Sequence, residues 1–180
     1  MRGGQIRRTL TVMSLVMIIP FIVITAVLIY QLNQVAGVYD GIVRNITRAN
    51  QYNTVFKEEM DAVMYQMVAR SLRKDEVKES LGMEDPDTLI REARETFEGL
   101  SRTTSSSEAG ERLQSIIKLL DTLRDRADEI NETVDVNGHY DENMMRLDTD
   151  IRIITELIQE RISEYIYYES VSMEATRSDI

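Results

Sequence analysis

The sequence predicts an all-α protein, in which an N-terminal transmembrane helix continues into an extracytoplasmic up-down four-helix bundle with long first and last helices. Three observations predict it. An uncharged run, LTVMSLVMIIPFIVITAVLIY, occupies Leu10–Tyr30 behind Arg2, Arg7 and Arg8. Beyond it, apolar residues recur at alternating steps of three and four, the spacing of an inward helical seam. No stretch alternates apolar and polar residues as a half-buried strand does.

The 21 residues of the apolar run would rise ~31 Å as a helix, about the thickness of a hydrocarbon core. Asp40 is the first carboxylate, so the basic charge lies on one side of the run, the pattern that keeps an N-terminus in the cytoplasm. A cleavable signal peptide has a shorter apolar region and a small-x-small site; here Ala36 is preceded by Gln34, a poor match. The chain thus divides into a cytoplasmic basic tail (1–9), a transmembrane anchor with its juxtamembrane segment (10–36), and an extracytoplasmic bundle (37–180).

The first bundle helix is expected from Gly37 to Leu81, with Ile46, Ala49, Asn53, Phe56, Met60, Val63 and Met67 as its seam, widened by Met64 and Val68. It should end near Gly82, where Asp85 caps a second helix and Pro86 takes the first helical position. That helix runs to Leu100, with Leu89, Ile90, Ala93, Phe97 and Leu100 inward. Asp87/Arg91, Arg91/Glu95 and Arg94/Glu98 form i,i+4 pairs outside. Ser101–Ser107 reads as a loop, with Ser107 as the next N-cap.

The third helix has the cleanest pattern: Leu113, Ile116, Leu120, Leu123, Ala127, Ile130 and Val134, closed by Asn137-Gly138. The fourth runs from Tyr140 to the end through Met144, Leu147, Ile151, Ile154, Ile158, Tyr165 and Tyr168. On these lengths the first and last helices outlast the other two and form a two-helix stalk. Such a stalk leaves apolar side chains uncovered, which predicts a parallel homodimer. The last helix returns towards the bilayer, so a second membrane helix is expected soon after Ile180.

Composition narrows the function. The chain has no Cys, one His and no G-x-G, which excludes disulfides, thiolate or multi-histidine metal sites and phosphate-cradling loops. From Asp40 onward there are 18 basic and 31 acidic residues, net −13, which argues against nucleic acid as a partner. No catalytic residue, metal ligand or cofactor site is predicted. His139 reads as a solvated turn residue, and Asp121, Asp125, Asp128, Glu129 and Glu132 as a charged outer face. Met60, Met64, Met67, Met144 and Met145 read as core filler. Asn45-Ile46-Thr47 and Asn131-Glu132-Thr133 match the glycosylation pattern by chance. Asn53, beside Asn50, sits where an apolar residue would stabilise more, as register-setting Asn residues do in dimeric seams. Asn50, Asn53, Arg70 and Arg73 are the candidates for contact with an unidentified small-molecule or protein ligand.

Tyr39–Val68 (YDGIVRNITRANQYNTVFKEEMDAVMYQMV) and Tyr165–Met173 (YIYYESVSM) resemble the extracytoplasmic sensor of YesM-type bacterial sensor histidine kinases. The resemblance implies a ligand-sensing, signal-transducing module of a two-component system at the cell membrane. It also implies a second membrane helix, a HAMP-type relay, a phospho-acceptor helix and an ATP-binding domain further along the parent protein. None of those parts lies in these 180 residues, so no catalytic residue carries over. A chemoreceptor sensor module has the same expected architecture, and a membrane-anchored helical spacer is the alternative from another class.

Overall fold

The computed structural model describes the backbone of residues 3–104 and 106–178, and the side chains of 13, 18–104 and 106–175. Every regular element among them is helical. In order these are α1 (Gly3–Arg70), a 3-10 turn (Lys74–Glu76), α2 (Val77–Leu81), α3 (Pro86–Ser101), α4 (Ser107–Thr133), α5 (Tyr140–Arg146), a π turn (Leu147–Ile151) and α6 (Arg152–Ser178). The chain divides into two compact units, Met1–Asp40 and Gly41–Ile180.

In the first unit α1 is long and apolar enough near the N-terminus to cross a membrane. The described side chains of the expected span, Met13 and 18–30, are all exposed. A surface this continuously apolar is unfavourable in water, whereas a helix satisfies its own backbone in lipid. Pro20 lies inside α1 without ending it. The side chains of Arg2, Arg7 and Arg8, and Ile180, lie outside the described residues.

In the second unit, α1, α3, α4 and α6 contribute to a single core. All the inward residues expected on α4 are buried, from Leu113 to Val134. So are Ile90, Ala93, Phe97 and Leu100 on α3, with Leu89 partly buried against them. From α1 come Ala49, Phe56, Met60, Val63, Met64, Met67 and Val68. Met60, Met64 and Met67 are fully buried fillers, but Met145 points to solvent at 61% exposure.

The first helix ends eleven residues before its expected end at Leu81. Ser71 adopts a left-handed conformation, φ 55°. Its N–H bonds the Val68 carbonyl at 3.3 Å, and the Leu72 N–H bonds that of Met67 at 2.9 Å. This is a Schellman ending with serine where glycine is usual. The expected end rested on Gly82 and Asp85-Pro86, and Ser71 offers no such stop signal, which is why the sequence misplaces it. Gly82, φ 65°, then closes the short α2.

Elsewhere the expected caps shift little. Asp85 accepts from the Thr88 backbone N–H at 3.0 Å, with Pro86 at the first position of α3. Ser106, not Ser107, caps α4, accepting from Ala109 N–H at 3.2 Å. Asp87 turns from Arg91 to Lys74, while the Arg91–Glu95 and Arg94–Glu98 pairs form as expected.

The fourth helix runs from Tyr140 to Ser178 as expected, but with a π turn inside it. The π turn adds a residue per turn between Asp148 and Asp150 while keeping both Leu147 and Ile151 buried. Beyond it the seam steps through Ile151, Thr155, Ile158, Ile162, Tyr165 and Glu169, all buried; Tyr168 is only partly so. Nor do α1 and α6 run alone for half their length within this unit. Loop residues Thr103 and Thr104 bond Asn45 of α1 (3.3 Å) and Glu169 of α6, so the covered region extends from Asn45 to Arg70.

Two predictions follow from these helix ends. Ser71→Gly removes the left-handed penalty and should stabilise the fold by about 0.5–1 kcal/mol, read as a higher urea midpoint in non-ionic detergent. Asp85 is held below the usual carboxylate range: burial opposes its ionisation, but hydrogen bonds from the Thr88 N–H and hydroxyl outweigh that. A depressed carboxyl contributes stability above its unfolded pKa and loses it as pH falls through the folded value. Asp85→Ala should therefore cost about 1 kcal/mol at neutral pH, with the gap to the parent chain shrinking on acidification.

Candidate functional site

The residues singled out in the sequence do not converge. Asn50 is exposed, and its carbonyl accepts from its own helix, from Thr54 Oγ1 at 3.1 Å. Asn53 faces α6 of the same chain: its Nδ2 donates to Ser163 Oγ at 3.3 Å, and Gln159 Nε2 donates to its carbonyl at 3.1 Å. Two turns along, Thr155 Oγ1 donates to Asp61 Oδ1 at 3.0 Å, and Asp61 is held by Lys57 at 2.6 Å. Asn53 thus bonds to α6 of its own chain through its Nδ2 and carbonyl, while its buried Oδ1 has no hydrogen-bond partner among the described residues.

Arg70 is exposed at the end of α1, and Arg73 pairs with Asp135 at 3.6 Å. Next to it Lys74 organises a three-element knot. Its ammonium reaches Asp87 of α3 (2.7 Å) and Asp128 of α4 (2.8 Å), and its backbone N–H donates to Asn131 Oδ1 at 2.8 Å. Hydrogen bonding to Asp128 and then Asp87 raises its pKa, so it is a fixed cation at neutral pH.

The acidic face of α4 is largely spent on such cations. Asp121 pairs with Arg94, and Glu129 with Arg126 (2.7 Å) and Arg146 (3.7 Å). No group of three or more acidic or histidine side chains suited to a metal ion occurs among the described residues. His139 Nδ1 lies 3.1 Å from Glu142 in a turn, and its hydrogen bond, ahead of that from Arg146, lowers the Glu142 pKa. Asn45 and Asn131 of the two glycosylation patterns are both buried and bonded within the fold.

A different feature has the form of a site. Between α1 and α3 lies a groove of about 230 Å³, lined by Gln51, Tyr52, Val55, Phe56, Glu59, Leu89 and Glu92. Gln51, Val55 and Glu59 form an i,i+4 ridge on α1, and Leu89 and Glu92 sit one turn apart on α3. Tyr52 forms one wall, held edge-on against Phe97 at 5.6 Å and bonded through its hydroxyl to Thr96 at 3.2 Å. The lining mixes apolar and polar side chains, with Glu59 and Glu92 as its two acids. A groove between α1 and α6, lined by Asp61, Ala62, Tyr65, Gln66, Leu147 and Arg152, carries its own counter-charge. The hollow at Ser101, Gly110, Glu111, Gln114, Ser115 and Lys118 is broad and open.

The α1–α3 groove was not legible in the sequence. Leu89 reads there as inward and neither Glu59 nor Glu92 stands out, and only the pairing of α1 with α3 brings them to one place. Comparison with protein-family models, with curated proteins and with solved structures finds no match for this chain.

Proposed function

We propose that the chain is the membrane anchor and extracytoplasmic sensor of a two-component sensor histidine kinase, similar to the YesM type. In this reading the N-terminus lies in the cytoplasm, residues 37–180 form an up-down four-helix bundle outside, and two chains associate in parallel. A second membrane helix and the kinase follow in the parent protein. An extracellular ligand favours one of two packings of α6 against α1, and the difference passes through the membrane. The ligand can shift that balance only by its differential affinity, commonly ~1–3 kcal/mol.

One observation carries the reading: the apolar span and the first helix of the core belong to the same helix, α1. In this reading the signal travels along α1. The α1–α6 contacts at Asn53, Gln159 and Ser163, and at Asp61 and Thr155, support it as places where two packings differ by discrete hydrogen bonds. Val43 of α1 and Tyr167 and Val171 of α6, all exposed apolar residues, supply surface for a second copy to cover.

The chain contains no cysteine, so single substitutions report cleanly. Ser107→Cys should react with a membrane-impermeant maleimide in intact cells; reaction only after lysis overturns the orientation. Val43→Cys should yield disulfide-linked dimers in oxidised membranes, and none forming overturns the parallel pair. The gene beyond codon 180 should encode a second apolar run and a kinase. There, pairing Asn53→Cys with Ser163→Cys should lock output in one state. A stop codon in place of that run, or output indifferent to the lock, overturns the sensor in favour of a spacer.

A further inference from the structure

We propose that the groove between α1 and α3 is a binding site for a small organic cation, an ammonium group carried on a single ring or a branched aliphatic body. The argument starts from which charges are already matched. On α3, Arg91 is turned to Glu95, and Arg94 to Glu98 and Asp121. On α1, Lys57 is turned to Asp61. These pairings leave Glu92 and Glu59 without an ion pair among the described residues, and both line the same groove, which has no Lys or Arg in its lining. Two like charges at one cleft repel, and a cation placed between them removes that repulsion.

The rest of the lining selects which cation. Val55 and Leu89 offer aliphatic surface and the half-buried Tyr52 part of its ring, while Phe56 is buried behind them. A hydrated metal ion gains nothing from these apolar groups. An organic ammonium gains twice, through burial of its apolar body and through attraction of its charge to ring faces. Gln51 adds a neutral amide that can accept from an ammonium N–H. An anion of the same shape meets the two carboxylates and is repelled. The volume, about 230 Å³, lies below the ~300–1,000 Å³ of sites for drug-sized ligands, so a one-ring amine is the right scale. The net charge of −13 from Asp40 onward raises the local concentration of any cation.

As the input of a sensor, the site rests on the reading above; as a binding site, it does not. The test is therefore made on the full chain in a non-ionic maltoside detergent, without any kinase output. Titration calorimetry with phenethylammonium, and with isopentylammonium, should show saturable one-to-one binding by at least one of them. Phenylacetate, matched in shape and opposite in charge, should not bind. Glu59→Gln with Glu92→Gln should weaken the amine at least tenfold while leaving thermal unfolding unchanged, since both side chains are exposed. Added salt should weaken binding as well. Equal affinity in the double variant, equal binding of phenylacetate, or no saturable heat from either amine overturns the site. Those outcomes leave the orientation and output experiments untouched, so the two readings fail separately.

Discussion

What holds the second unit together is the matching of one inward seam on α1, α3, α4 and α6, where each apolar position must find cover from the others. The methionines of α1, the leucines and isoleucines of α4 and the isoleucines of α6 lie in the same core. Removing a fully buried member such as Leu120 or Ile158 typically costs ~2–5 kcal/mol, because the remaining groups close the gap only in part. Apolar packing of this kind sets which faces meet. It does not by itself set the register, because neighbouring turns offer similar surfaces. Register comes from polar residues at inward positions. Thr155 is buried and bonds Asp61, Asn131 is buried and accepts from the Lys74 N–H, and Asn143 is buried and accepts from Thr133 at 2.9 Å. Misalignment leaves each such group unsatisfied, at ~1–3 kcal/mol apiece.

A second constraint is the scarcity of cations. With 18 bases against 31 acids from Asp40 on, several bases are shared between acids on different elements. Lys74 joins Asp87 to Asp128, Arg94 joins Glu98 to Asp121, and Arg146 joins Glu142 to Glu129. Arg112 pairs with Glu164 at 3.1 Å and lies over the Tyr168 ring at 5.5 Å. Exposed pairs contribute little singly, ~0–1 kcal/mol, but shared cations tie α3 and α5 to α4 at defined heights. The same scarcity leaves some acids unmatched, and Glu59 and Glu92 are notable because they fall on one groove.

Which features could be read in advance follows from the same physics. The inward faces of α3 and α4 were legible because their apolar residues keep strict spacing, and the start of α3 because Asp85-Pro86 has a local mechanism. The end of α1 was hidden, because Ser71 carries no signal for a left-handed residue, whereas Gly82 and Asp85-Pro86 further on do read as stops. The π turn was hidden too, since its extra residue appears only as a slip in the pattern after Leu147. Ile154 is buried as expected, but Thr155 and Glu169 were passed over because a polar residue is read as outward. Their burial depends on partners, Asp61 and Thr104, that are far away in the chain.

These buried polar positions bear on how α6 can move against α1. Isoleucine packing is non-directional and re-forms after a small slide, so an entirely apolar seam offers a gradient of similar packings and no sharp states. Hydrogen bonds are directional. A slide or rotation of α6 must break Ser163 and Gln159 from Asn53, Thr155 from Asp61, and Glu169 from Thr104. Each net bond contributes ~0.5–1.5 kcal/mol, so the set resists motion by a few kcal/mol, comparable to the ~1–3 kcal/mol of a typical coupling. At the α6 end, burial and then the Glu169 charge push the Tyr165 phenol above its ordinary pKa, keeping it neutral near that carboxylate. The proposed sensor requires discrete packings separated by a cost that a bound ligand can supply, and directional bonds of this kind, unlike purely apolar packing, are able to provide such a cost.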